Sequence, residues 1–535
     1  MKRLHQQAGH KTAPDPAAKT SNRALQRGSH PHRTRRGDAQ IGDRDGRVSG
    51  RELGRPRRTS RDGRGRLMAA ARVRARRGAG RASSRSPFDS GGCAARRVCG
   101  IGAGAAAASM ALKERLGRAA TTVRALGPGL VTGAADDDPG GLATYSQAGA
   151  QFGFGLTWTM PFTFLLLASM QEISARIGRV TGQGLAASLR GAFPRPVLVL
   201  MVSLLLIANT INLGADLGAM GEATALIVGG PGHLYVVLFG AFCAGAQILL
   251  PYKPYVRLLK WLTLSLFFYV GAAFSLQVPW GAVLVGTLLP KISWTPDYLM
   301  AVVAVLGTTL SPYLLFWQAS EEAEDVVANG GAALRQVPAH GGAEMRRIRL
   351  DSYIGIGFSN LIGLFVIVTT AATLHASGVR DIGTAAEAAT ALRPIAGPFA
   401  FFAFAAGIIG TGLLAVPILA GSSAYAVTEA FGRPVGLSLK PARAAMFYST
   451  LALSTALGVG MHFLPVPPMK LLYWSAVLNG VVVAPVMAIT VIVASRPKTM
   501  GGFVLPLPLR MVGGAATAVM AVAVLAMFAA WLKPS

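Results

Sequence analysis

Three consecutive carboxylates, Asp136, Asp137 and Asp138, stand inside an otherwise apolar stretch and are followed at once by Pro139, Gly140 and Gly141. Ionisable groups in such a stretch are costly to bury, which makes each a functional candidate. Pro139 removes a backbone donor, the glycines loosen the turn, and three adjacent acids repel one another in a low dielectric, so a helix is predicted to break here. A break exposes carbonyl oxygens. Carbonyls beside carboxylates make a hard oxygen cage suited to a cation. The plainer reading, a solvated loop between two short apolar runs, fits poorly with flanks that are apolar and poor in arginine.

A second interruption, Gly307-Thr308-Thr309-Leu310-Ser311-Pro312-Tyr313, repeats the theme with hydroxyls in place of acids. Alone it reads as a proline kink. Paired with the first it falls at the corresponding place in two five-helix halves, the pointer to a midplane site in a transporter built as an inverted repeat.

Membrane-spanning helices must position these motifs. Of the 535 residues 52% are hydrophobic and 14% charged, and the mean hydropathy is +0.45, a balance foreign to soluble enzymes. Three cysteines make no disulfide framework, and no His/Cys cluster has zinc-ligand spacing. Eleven apolar stretches are long enough to cross a bilayer, at about 20 residues each. They run over 125–150, 155–177, 197–224, 233–250, 255–277, 298–323, 352–376, 396–430, 444–463, 470–494 and 511–532. The third and eighth are long, which suggests tilt or local breaks.

The net charge of +28 is lopsided, because residues 1–100 hold 26 basic and 7 acidic residues. Residues 1–109 therefore read as an Arg-rich disordered tail, or as sequence ahead of a true start at Met110, and residues 110–535 as the transmembrane domain. With the N-terminus placed inside, the cytoplasmic loops carry 17 Lys and Arg and the outer segments 5. That bias predicts a plasma (inner) membrane protein with a cytoplasmic N-terminus and the C-terminus outside.

Asp138-Pro139-Gly140-Gly141, Gln147-Ala148-Gly149-Ala150 and the run from Gln171 to Gly182 resemble the first two helices of Nramp divalent-metal transporters. Asn212-Leu213-Gly214-Ala215-Asp216 is similar to the family's third helix, and Gly307 to Pro312 to its sixth. The resemblance covers residues 120–530, and its specific part is the first two helices. It implies an all-α membrane protein with the LeuT-type inverted repeat of five plus five helices, an eleventh helix, breaks in helices 1 and 6, and alternating access. Carried over residue by residue, it makes Asp138 the main charged metal ligand, Ala135 and Thr308 carbonyl ligands, and Ser311 and Gly141 the occupants of the remaining ligand positions. Here the chain departs from the family. Gly141 replaces an asparagine, Ser311 a methionine and Tyr313 a histidine.

Losing the thioether removes a preference for soft transition metals, so magnesium becomes a candidate beside manganese and iron. Proton coupling is also in question. Asp216 matches one acid of the third helix, but Ala219 stands where a second is usual, so transport is expected to be weakly coupled or uncoupled to protons. Asp136, Asp137, Asp216, Gln318, Glu321 and Asn479 are candidates for a vestibule or proton path. Glu324 and Asp325 read as a solvated helix end.

The function read from all this is import of a divalent cation, with the bilayer as partner, proton partnership left open, no cofactor and no nucleic acid. Two alternatives remain: an amino-acid carrier on the same fold, against which three aspartates at the break argue, and a membrane-anchored nucleic-acid or lipid binder acting through its basic tail. No Ser/His/Asp or HExxH arrangement within the spans suggests an enzyme.

Overall fold

The computed structural model describes residues 128–250, 270–271, 274, 276–328, 330–384, 387 and 400–532. The tail (1–109), Met110 and most of the expected fifth span lie outside these residues. All regular structure among the described residues is helical.

The first span is α1 (Pro128–Ala135) and α2 (Pro139–Phe152), separated by the three aspartates. Asp138 is the N-cap of α2 and Pro139 opens it, the residue pair that a helix start favours. Glycines 153 and 155 turn the chain sharply, so that α2 and α3 (Thr159–Thr181) form a 111° bend. A short helix α4 (Leu185–Ala192) precedes α5 (Arg195–Val228), a 34-residue helix continuous across the expected third span. Then follow α6 (Gly232–Leu249) and a short helix α7 (Trp280–Leu288).

The sixth span is again broken, into α8 (Pro296–Thr309) and α9 (Pro312–Ala328). The seventh is α10 (Gly341–Thr370) and the eighth α11 (Ala400–Ala430), which carries Pro417 without interruption. They are followed by α12 (Ala445–Met461), α13 (Pro468–Ala494) and α14 (Leu507–Trp531). Ten of the eleven expected spans thus have a described helix or broken pair; α4 and α7 sit in segments read as loops. Among the described residues seven stretches are long and apolar enough to cross a membrane, and the bent pair of α2 and α3 makes an eighth.

Small residues set the packing around the first break. A Cβ on Gly133 would collide with the Gly355 backbone of α10, and one on Gly307 of α8 would strike Ala476 and Gly480 of α13. Close backbone approach of this kind is how helices associate where lipid offers no hydrophobic drive. Polar side chains reinforce it: Asn209 of α5 donates to Ser422 and Ser423 of α11 at 2.9 and 3.0 Å.

Candidate metal-binding site

A proline stands at each break. Without an N–H, Pro139 leaves the carbonyl four residues earlier, Ala135, without its helical donor, and Pro312 does the same to Thr308. These are the two carbonyls that the resemblance to Nramp transporters implies as ligands. Each accepts a hydroxyl instead. Tyr313 donates to Ala135 O at 2.9 Å, and Ser311 donates to Thr308 O at 2.6 Å, with Gly307 O at 3.0 Å from the same hydroxyl.

Asp138 lies between them, 2% exposed. Its Oδ1 accepts the Gly141 N–H at 2.5 Å, and its Oδ2 accepts from Asn212 Nδ2 at 3.0 Å and faces the Tyr313 hydroxyl at 3.1 Å. Asn212 is held in turn by Ser475 of α13, which donates to its Oδ1 at 2.8 Å. One turn along α5, Asp216 accepts the Gly140 N–H at 3.2 Å through Oδ1, while its Oδ2 has no hydrogen-bond partner. The Gly141 Cα is close enough that a Cβ there would lie 3.1 Å from Asp136 O and 3.4 Å from Thr308 Oγ1. The structure therefore brings Ala135, Asp138, Gly141, Asp216, Thr308 and Ser311 to one buried locus.

Asp136 and Asp137 flank it on the α10 side. Ser359 donates to Asp136 Oδ2 at 2.7 Å, and both Asp137 oxygens lack a partner. Tyr145 and Thr309 meet through their hydroxyls at 3.2 Å between α2 and α8. The remaining candidates lie apart from this locus. Gln318, read as lining a vestibule, is 1% exposed and accepts the Thr132 hydroxyl at 2.6 Å, so it fastens α9 to α1. Asn479 is buried in α13 with its Oδ1 unpartnered, and Glu321 is buried near the Tyr425 hydroxyl at 3.5 Å.

The arginine-rich end differs from the expectation. Glu324 is not solvated: it is 6% exposed and accepts Tyr425 and the backbone N–H groups of Leu437 and Ser438. The physical reason is that the loop after α11 folds back over α9, and its free N–H groups need an acceptor. Beside it Arg347 pairs with Glu322 at 2.6 Å and Glu344 at 3.0 Å, and Arg179 pairs with Asp325 at 3.0 Å and Glu344 at 2.9 Å. Asp351 joins this network through Arg347 at 3.8 Å and accepts the Gly129 N–H of α1 at 2.8 Å.

Sequence reasoning did not single out Asn212, Tyr145, Ser359, Thr309 or Ser475 as parts of this locus. A signal existed for one of them, since Asn212 and Asp216 are four residues apart and share a helix face. A cavity of about 250 Å³ is lined by Ala143, Gln147, Met300, Asp381, Lys470 and Tyr473.

Residues 129–530 match the family model Nramp, described as natural resistance-associated macrophage protein-like. The divalent metal cation transporter MntH of Chromohalobacter salexigens is 29% identical over 322 residues, covering 58% of this chain and 69% of that protein. The protein of the same name from Burkholderia ambifaria is 27% identical over 423 residues, 77% of this chain and 90% of that one. A crystal structure of the Eremococcus coleocola manganese transporter superposes with a TM-score of 0.63 at 17% identity, covering 78% of this chain and 89% of that one. The helical order and the breaks in spans 1 and 6 are those of the expected LeuT-type architecture.

Proposed function

From the premise that the chain belongs to the Nramp family of membrane transporters, we propose that it imports a divalent metal cation by alternating access, with Asp138 as the charged ligand. The observation that carries this reading is the pair of proline-freed carbonyls, Ala135 and Thr308, on either side of a buried carboxylate. Tyr313 and Ser311 cover those carbonyls when no cation is present and turn away when one is. Relatives named divalent metal cation transporter and manganese transporter support the cargo class.

All ligand atoms here are oxygens, which favours a hard ion such as Mg²⁺. Mn²⁺ is the second reading, favoured by the names of the relatives. Restoring a thioether with Ser311→Met is expected to raise Mn²⁺ and Cd²⁺ uptake relative to Mg²⁺. Ala219 stands where the family has a second acid and Tyr313 where it has a histidine, so import is weakly coupled or uncoupled to protons and is driven mainly by the membrane potential. That potential favours entry of a divalent ion by about 4.6 kcal/mol at 100 mV. Acidification of the proteoliposome lumen accompanying metal entry, dependent on Asp216, would contradict it.

The protein sits in the plasma membrane with α1 beginning at the cytoplasmic, arginine-rich side, and the 250 Å³ cavity is its outer approach. The paired acids and arginines of α3, α9 and α10 close the inner side. Uptake of Mg²⁺, Mn²⁺ and Fe²⁺ into proteoliposomes, wild type against Asp138→Ala, tests the proposal. Uptake by the wild type and its loss in the variant is the expected result; equal uptake by both overturns it. Deleting residues 1–109 is expected to leave uptake unchanged, whereas a tail-driven binder would lose its activity.

A further inference from the structure

The first break holds four carboxyl groups, two more than one divalent cargo would neutralise. Asp136, Asp137, Asp138 and Asp216 are all buried, and no ion pair between any of them and a lysine, arginine or histidine occurs among the described residues. Their surroundings divide them into two groups. Asp138 and Asp216 face α5 and α9, where Asn212, Tyr313 and the Gly140 and Gly141 N–H groups meet them. Asp136 faces α10, where Ser359 donates to it at 2.7 Å.

One turn after Ser359, Gly363 abuts the hydroxyl end of the Tyr145 ring, since a Cβ there would lie 3.0 Å from Cε2 and 3.2 Å from Cζ. The Tyr145 hydroxyl in turn meets Thr309 at 3.2 Å. On this side of the break, then, Ser359 meets Asp136 between α1 and α10, and the Tyr145 and Thr309 hydroxyls meet between α2 and α8, with Tyr145 packed one turn from Ser359 along α10.

Three of the four carboxylate oxygens in this group, Asp136 Oδ1 and both oxygens of Asp137, have no hydrogen-bond partner, and both residues are 0% exposed. Buried carboxylates retain their charge only when a cation or donors compensate them. The donor set holds oxygen alone, which suits hard cations and excludes a preference for soft ones.

We infer that Asp136 and Asp137, with Ser359, Thr309 and Tyr145, form a second cation subsite beside the one centred on Asp138, and that it takes a hard, oxygen-seeking metal ion. Two ions have this chemistry in a cell membrane: sodium, and a second copy of a hard divalent cargo. The subsite stands on the geometry of the break and does not need the import reading to be correct.

The test uses the full chain purified in detergent, with binding followed by equilibrium dialysis and by thermal unfolding. NaCl, MgCl₂ and MnCl₂ are the probes, and choline chloride controls for ionic strength. In the wild type two metal ions per chain are expected at saturation. Asp138→Ala retains one, and Asp136→Asn/Asp137→Asn retains the other with at least a tenfold rise in the half-saturating concentration for the lost ion. If the lost ion is Na⁺ the subsite is a sodium site, and if it is Mg²⁺ it holds a second divalent ion.

A single ion per chain in the wild type overturns the inference, as does unchanged binding in the double variant or a response to choline equal to that to Na⁺ and Mg²⁺. Asp137→Asn alone keeps the Asp136–Ser359 hydrogen bond and decides the matter if the double variant does not fold: a tenfold weakening supports the subsite, and wild-type binding refutes it. The readouts separate from those of the import reading, which fails on uptake by Asp138→Ala whatever the binding stoichiometry.

Discussion

Two groups of acids in this molecule are treated in opposite ways. At the first break Asp136, Asp138 and Asp216 accept hydroxyl, amide or backbone donors, Asp137 has no hydrogen-bond partner, and none of the four is in an ion pair among the described residues. At the arginine-rich end Glu172, Glu322, Glu344 and Asp325 each have a guanidinium within 3.3 Å, from Arg176, Arg179, Arg347 or Arg349. A carboxylate with its own guanidinium is a fastening. A buried acid without one depends on neutral donors, as Glu324 does on Tyr425, Leu437 and Ser438, or on a cation from outside the protein, as proposed for the acids of the first break.

Substitutions that exchange these two behaviours test the comparison, and the largest effect is expected at Asp138. Asp138→Asn keeps the size of the side chain and its capping of α2 while removing the charge. Uptake should fall on the order of 100-fold, the equivalent of about 3 kcal/mol. Thermal stability should stay within about 1 kcal/mol, because Asn caps helices as well as Asp.

At the other pole, Arg347→Ala strands Glu322, whose side chain is 0% exposed. Breaking a buried pair costs about 3–5 kcal/mol, but Arg347 is 22% exposed and Arg179 remains 4.0 Å from Glu322, so about 2 kcal/mol is expected. Thermal unfolding in detergent reads it. Adding Glu322→Gln to Arg347→Ala should recover part of the loss, and no recovery would mean that the arginine acts through packing alone.

Smaller effects probe how the break is held. Gly133→Ala pushes a methyl onto the Gly355 backbone and is expected to cost about 1–3 kcal/mol of stability, with α1 displaced from α10. Tyr313→Phe removes the hydroxyl that covers Ala135 O and should cost about 1 kcal/mol. If Tyr313 serves only as a cover, metal affinity in this variant rises or holds. A fall in affinity would make the phenol a ligand.

How far the sequence reveals this arrangement depends on the range of the interaction that fixes each part. The breaks are readable locally, from Pro139 beside three acids and two glycines and from Pro312 beside a run of hydroxyls, whereas Ala135 and Thr308 come only with the family resemblance. The spans are legible for the same reason, as each is a continuous apolar run. The partners of the acids are not local. Asn212 reaches Asp138 across 74 residues, Ser359 reaches Asp136 across 223 and Tyr313 reaches Ala135 across 178. No pattern within one helix announces such pairings.

The same limit explains Gln318 and Glu324, whose reading as vestibule and solvated end ignored Thr132 and the loop at Leu437 and Ser438. Helices α4 and α7 escaped notice because eight or nine residues carry too little periodicity.

The half-helix α1 illustrates what a glycine-faced contact permits. It has eight residues, and toward α10 it presents Gly129 and Gly133. Its polar attachments are the Gly129 N–H on Asp351, the Thr132 hydroxyl on Gln318 and the Ala135 carbonyl under Tyr313, roughly one per turn. Each of these is a single hydrogen bond, worth about 0.5–1.5 kcal/mol net, while Val131 stays in the hydrophobic core. The segment is seated like a rail: where it bears on α10 at Gly129 and Gly133 the contact is smooth, and its grip comes from elsewhere along its length.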